Sequence, residues 1–179
     1  PNTIDHQLAR QAEYDTNAFT ALNTAFIHDG SLIEIPNNTT LEHPVHLLYL
    51  CTTEKQDSVS HPRSLIKIGV NSAVTIVETY ESLYDNKYFT NSVTEIILEA
   101  GSTVEYYKMQ RQSEQAFHIT NTYVSVGRDS SFSSVNIDLG GSLVRNNLNV
   151  LMDGTGGSCS LNGLYLTGNS QHLDNQVII

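Results

Sequence analysis

The chain has 179 residues, 39% of them hydrophobic, and carries nine Lys and Arg against nineteen Asp and Glu, a formal net charge of −10. That length suits one domain with a sizeable core, and the negative balance disfavours nucleic acid and anionic membrane surfaces as partners, leaving a basic or neutral protein. No apolar run approaches the roughly 18 residues of a membrane span, and "PNTIDHQLARQAEYD" lacks the basic and then apolar order of a secretion signal, so a cytoplasmic protein is expected.

Residues 1–29 carry the helical signal. Ile4, Leu8 and Ala12 recur about one turn apart, and Phe19, Leu22 and Phe26 follow Asn17, a residue type that caps helix starts, before a stop at Asp29-Gly30. One or two short helices are expected there, as a lead-in to a core over residues 30–179. From Leu32 onward short alternating runs rich in Val, Ile, Thr and Tyr are separated by Asn, Asp, Gly and Ser, which is strand patterning.

Those strands repeat. "IEIPNNTTL" (33–41), "IKIGVNSAV" (66–74), "ILEAGSTV" (97–104), "VSVGRDSSF" (124–132) and, with one extra residue, "VLMDGTGGSC" (150–159) share one design. Each has apolar alternation, a turn residue, and a return to an apolar position. Those closing positions are Leu41, Val74, Val104, Phe132 and Cys159. A period near thirty built of strands and tight turns predicts stacked β coils, a mainly β, right-handed parallel β-helix; a β-sandwich or jelly roll is the runner-up, since it needs no constant repeat. Cys159 then reads as a small inward-facing hydrophobe, and Gly154, Gly156 and Gly157 as corner residues.

Few residues suggest chemistry. Cys51 and Cys159 form neither a disulfide framework nor a zinc spacing and suit a reducing compartment. "DGTGGSC" lacks the glycine spacing, lysine and following helix of a nucleotide loop, and no G-x-x-x-x-G-K-[ST], G-x-S-x-G or H-E-x-x-H occurs. His43 and His46 stand three apart in an extended segment, which turns them to opposite faces. His118 and His172 are isolated and read as surface or hydrogen-bonded residues. Glu34, Glu78, Glu95, Glu99 and Glu105 read as a solvated outer face. The competing reading is an acidic, calcium-binding ladder in a secreted-type β-helical carbohydrate-active enzyme or carbohydrate-binding protein, but no basic residue is grouped with them as a proton acceptor. The N-x-[ST] matches at Asn37 and Asn38 are expected to carry no glycan in a chain without a secretion signal.

Several ordered segments carry a resemblance. "FTALNTAFIHDGSLIEIPNN", "LEHPVHLLYL", "HPRSLIKIGVNSAVTIVETY", "NSVTEIILEAGSTVEYYKMQ", "HITNTYVSVGRDSSF", "IDLGGSLVRNNLNVLMDGTGG" and "LNGLYLTGNSQHLDN" resemble the core domain of the SufB/SufD family, the SufD member more than SufB, over residues 17–179. The resemblance implies a right-handed parallel β-helix. It also implies a non-catalytic scaffold subunit for iron–sulfur cluster assembly, pairing with SufB-like and SufC-like proteins, the latter an ATPase.

The family's Cys-Ser-His-Gly segment and C-terminal helical region are not among the 179 residues. The chain is therefore expected to be an excised core that binds no cofactor by itself, the cluster being carried by the full complex, and that self-associates through an open C-terminal coil. In the matching "GGSLVRNNL", Asn146 and Asn147 are expected to bond the backbone of neighbouring coils, and Arg145 is the charged group marked for an interface role.

Overall fold

The computed structural model describes residues 10–12, 15–55, 57–168 and 170–179. It holds one α-helix, α1 (Ala18–Ala25), among those residues, followed by β1 (Gly30–Ile35), β2 (Val45–Cys51), β3 (Ser58–Ser60), β4 (Arg63–Ile68), β5 (Ala73–Ser82), β6 (Tyr88–Leu98), β7 (Thr103–Arg111), β8 (Phe117–Val126), β9 (Ser131–Asp138), β10 (Leu143–Met152), β11 (Ser158–Tyr165) and β12 (His172–Ile178). The first sheet runs β1-β4-β6-β8-β10-β12, with β3 beside β6; the second runs β2-β5-β7-β9-β11. Every pairing is parallel. The chain alternates between the two sheets as it advances, which is a parallel β-solenoid of about five turns and excludes the antiparallel sandwich.

The corners that lead from the first sheet to the second are built alike. Each places one residue at positive φ: Asn38 (56°), Asn71 (53°), Gly101 (70°), Asp129 (56°) and Gly156 (74°). Asn and Asp tolerate that conformation and glycine adopts it freely. The corner N–H of each coil bonds a carbonyl of the next, from Asn38 to Val70, Asn71 to Ala100, Gly101 to Arg128 and Asp129 to Thr155. Of the three glycines expected at the last corner, Gly156 takes the positive φ. Asn37 and Asn38 are corner residues too, and the Asn37 side chain accepts the Val70 N–H at 2.9 Å.

Immediately after each corner the predicted apolar column appears in register. Val74 faces Val104, Val104 faces Phe132, and Phe132 faces Cys159, while Leu41, itself exposed, donates its N–H to Ala73. With Ile66, Ile68, Ile96, Leu98, Val124 and Val126 from the first sheet, Val74, Val104 and Phe132 form one continuous core, against which Cys159 packs and from which Leu41 is missing. Each fully buried side chain of this size contributes roughly 1.5–3 kcal/mol.

At the other end of the expectations, α1 differs from what its periodicity predicts. Asn17 is its N-cap, accepting from the Phe19 and Thr20 N–H groups at 3.0 Å each. The helix stops at Ala25, well before Asp29-Gly30, and Gly30 opens β1. Its buried residues are Thr20 and Asn23, while Phe19 and Phe26 are exposed. The reason is the polar outer face of the first sheet: Asn23 donates to the carbonyls of Pro62 (2.9 Å) and Asn91 (2.8 Å), and Thr20 shares a 2.9 Å hydrogen bond with the Tyr123 hydroxyl. Ile4 and Leu8, on which a second helix was expected, lie outside the described residues.

Candidate functional site: the polar half of the lumen

Strand alternation turns Val74, Ile76, Glu78 and Tyr80 of β5 inward, and all four are buried. The inward series of β7 is likewise Val104, Tyr106, Lys108 and Gln110, and that of β8 read from its end is Val126, Val124, Thr122, Thr120 and His118. Each series starts apolar beside the corner and becomes polar towards the opposite edge. The lumen is therefore divided, with a dry half at the corners and a polar half at the loops that return the chain to the first sheet.

The polar half is closely bonded. Glu78, 1% exposed, accepts from the Tyr80 hydroxyl on one oxygen and from the Tyr106 hydroxyl at 2.5 Å on the other. Tyr80 also bonds Ser92 across the lumen at 2.9 Å. One coil on, Lys108 donates to Thr120 at 2.7 Å and to the Asn146 side-chain oxygen, whose amide nitrogen donates to Asp138 at 2.9 Å and Asn175 at 2.7 Å. Removing such groups from water is costly unless they are bonded in this way.

Burial and neighbours shape the titration. Burial first and Glu78 second push Tyr80 and Tyr106 well above the ordinary phenol range. Burial pulls Lys108 down while Asp138 and Glu78 oppose it. Burial, then the Lys108 charge, holds His118 well below the ordinary imidazole range, so the ring is neutral at pH 7. His118 is fully buried with Tyr80 edge-on at 4.6 Å, and neither ring nitrogen has a hydrogen-bond partner. It is neither the surface nor the bonded histidine expected.

The polar half offers proton donors and acceptors at fixed positions. A cavity of about 160 Å³ reaches it at the β11–β12 end, lined among others by Lys108, Thr120, Asn136, Asn146 and Asn175.

The five glutamates do not form a ladder, nor a common solvated face. Glu78 points into the lumen, and Glu95 is buried on the outer face of the first sheet, where Arg63 donates to it at 2.6 Å and the Gln11 and Ala12 N–H groups at 3.0 and 3.2 Å. Glu99 sits at a corner with Lys67 at 3.7 Å, Glu105 is exposed on the second sheet, and Glu34 pairs in register with Lys67. Basic residues are thus grouped with these carboxylates after all, as structural partners. The calcium-ladder carbohydrate reading has no support in this arrangement, and among the described residues no three His, Cys, Asp or Glu side chains gather into a metal site.

His43 is exposed, and His46 shares a 2.9 Å hydrogen bond with Thr79 of the next coil. His172 is exposed on β12. Arg145 is fully engaged within the chain, bonding Asn147 at 3.1 Å, Asp174 at 2.7 Å and Gln176 at 2.8 Å, so it staples β10 to β12. Asn146 and Asn147 bond side chains of neighbouring coils rather than backbone. Cys159 packs half-buried against the core, where burial raises its thiol; Cys51 is half-buried as well. Sequence reasoning missed Tyr80, Tyr106, Lys108 and Asp138. Their signal was polar residues on the same parity as apolar strand positions.

Comparison with known proteins adds to this geometry. Residues 50–179 match the sequence profile described as SUF system FeS cluster assembly, SufBD core domain, and residues 1–47 that of the SufBD protein N-terminal region. The iron–sulfur cluster assembly SufBD family protein slr0076 of Synechocystis is 35% identical over 161 residues, 82% of this chain and 36% of the relative. Protein ABCI7, chloroplastic, of Arabidopsis thaliana is 26% identical (87% of this chain, 34% of the relative), and the iron–sulfur cluster assembly protein SufB of Bacillus subtilis 23% (88% and 34%). The chain spans about a third of the length of the curated relatives it matches. No helix among the described residues is long and apolar enough to cross a membrane.

Proposed function

The chain belongs to the SufBD family of iron–sulfur cluster assembly proteins, and from that premise we propose that it serves as a SufD-like, non-catalytic scaffold subunit that pairs with a SufB-like protein and a SufC-like ATPase. The observation that carries the scaffold reading is the use made of the buried charges. Glu78, Lys108, Asp138 and the Arg63–Glu95 pair are each tied to a neighbouring coil or to the N-terminal segment, so the fold uses them to hold its stack. A cytoplasmic location and a cluster carried by the whole complex rather than by these residues belong to the same reading.

Co-expression of the complete reading frame with SufB-like and SufC-like partners, followed by affinity purification and native mass spectrometry, tests it. A complex containing all three supports the scaffold role; recovery of the protein alone reduces the reading to family and fold. The 179-residue chain by itself should also self-associate. β11 and β12 end their sheets with one unpaired edge each, and Val177, Ile178 and Ile179 are exposed. Sedimentation showing only monomer at about 50 μM, within the range where weak interfaces register, would remove that part.

A further inference from the structure

The two sheets turn unlike faces to solvent. The outer face of the first is polar and carries α1, which packs on β6 and β8. On the second sheet, strand alternation sends Leu48, Met109, Ile137 and Leu164 outward, and the register sets them in one row through Thr79. The row beside it holds Val77, Tyr107 and Val135. Leu48 is 53%, Leu164 52% and Tyr107 40% exposed, while Val77, Met109, Val135 and Ile137 are half-buried. The result is an apolar band that crosses all five strands of the second sheet, and a contiguous band of this kind marks an interaction site.

Its dimensions suit a helix. Four strand spacings make the band about 19 Å long. A helix laid across the strands covers that length with about 13 residues. From Glu105 at one margin to Arg111, paired with Glu81 at the other, β7 runs about 20 Å. A helix backbone with its side chains, about 10 Å across, fills the centre of that width and leaves its longer flanking side chains over the margins.

Charge selects the occupant. Among the described residues, Glu42, Glu105 and Asp153 on the corner side and Asp85 and Glu114 on the return side have no cation paired with them. The cations near the band are already engaged. Arg111 pairs with Glu81, Lys87 with Asp57, Arg128 with Asp129 and Lys67 with Glu99, and Lys55 follows Glu54 in the chain. Both margins are therefore net acidic. A second copy of this chain, at −10, or an anionic lipid surface would meet like charge there. An apolar stripe flanked by lysine and arginine would meet opposite charge on each side.

We propose that this face docks a basic amphipathic helix of a partner protein, laid along the solenoid axis with its apolar stripe on Leu48, Met109, Ile137 and Leu164 and its cations over the two margins. The proposal is independent of the assembly reading. It is tested on the complete protein by fluorescence anisotropy with a capped, labelled peptide of about 14 residues, roughly four helical turns. The peptide has leucine at every third or fourth position and lysine elsewhere, and its control carries glutamate in place of lysine.

The expected result is saturable binding with Kd on the order of 100 μM or tighter, and binding at least about tenfold weaker for the glutamate peptide. Met109→Lys, which sets a cation in the middle of the band, should weaken binding about tenfold, whereas Val59→Lys, the same charge change on exposed β3, should leave it within about twofold. Glu105→Gln combined with Glu114→Gln, both at exposed positions that do not hold the fold, should weaken binding about threefold at low salt and make little difference at about 0.5 M. The proposal is overturned by an absence of saturable binding, by equal binding of the two peptides, or by equal effects of the two lysine variants. It is also overturned if sedimentation of the complete protein shows a dimer that Met109→Lys dissolves, since the face would then belong to a second copy.

Discussion

The two halves of the lumen share strands, register and depth, and differ in what fills them. Beside the corners, Ile66, Ile96, Val104 and Phe132 are held by dispersion and exclusion of water, interactions that no single bond dominates. Beside the loops, Glu78, Lys108 and Asp138 are held by particular partners. The difference teaches that a solenoid stacks equally well on either chemistry, but tolerates change differently. The dry half loses stability in proportion to volume removed, whereas the polar half depends on which partner is left behind.

That contrast can be broken or sharpened by substitution. Phe132→Ala, which empties the centre of the dry half, should cost about 4 kcal/mol in denaturant unfolding. A cost near 1 kcal/mol would show that neighbouring coils collapse into the gap. Lys108→Met comes next, at about 3 kcal/mol, because Asp138 and Glu78 keep their burial and lose their cation. An unchanged midpoint would mean that neither the charge of Lys108 nor its hydrogen bonds to Asn146 and Thr120 stabilise the fold.

His118→Leu separates the halves by pH. The folded-state pKa of His118 lies well below its unfolded value, so the unfolded chain takes up the proton first as pH falls. The stability tied to neutral His118 is therefore complete above about pH 6.5 and is lost below it, at up to roughly 1.4 kcal/mol per pH unit. The leucine variant should match or slightly exceed the parent at pH 7 and lose less between pH 6.5 and 5, as thermal melts across that range would read. Equal acid sensitivity would assign the loss to other groups. Smallest of all, Cys159→Ala should cost about 1 kcal/mol, because the thiol is half-buried at the edge of the dry half.

How much of this was legible follows the same division. The column from Val74 to Cys159 was readable because corners demand Asn, Asp or Gly at one position and apolar residues resume just after it, whereas Leu41, at the same place in the first coil, is exposed. The polar half was not, because Glu78 in "TIVETYES" has the parity of Val74 and Ile76 but the chemistry of a surface residue, and composition alone assigns it outward. The polar face of α1 was hidden for a related reason. Thr20 and Asn23 are buried because Asn91, Tyr123 and Pro62 offer bonds across from them, and those partners are distant in sequence. Arg145 stood out as a lone charge in a matching segment; its partners Asp174 and Gln176 face it only once β12 is stacked on β10.

Four of the five corners are nearly constant in length, at residues 69–72, 99–102 and 127–130, with one residue more at 153–157, and the first, over 36–44, already bridges the next coil from Thr40 to Ala73; the returns on the opposite edge run over 83–87, 112–116 and 139–142, and the first, across β3, is longer still. Changes in repeat length are thus absorbed on one side of the solenoid. An insertion at a return loop would alter a single bulge, while the same insertion at a corner would displace the positive-φ residue and shift every later coil out of step. The return edge is therefore where this fold can accept grafted sequence, and where related chains are free to diverge in length.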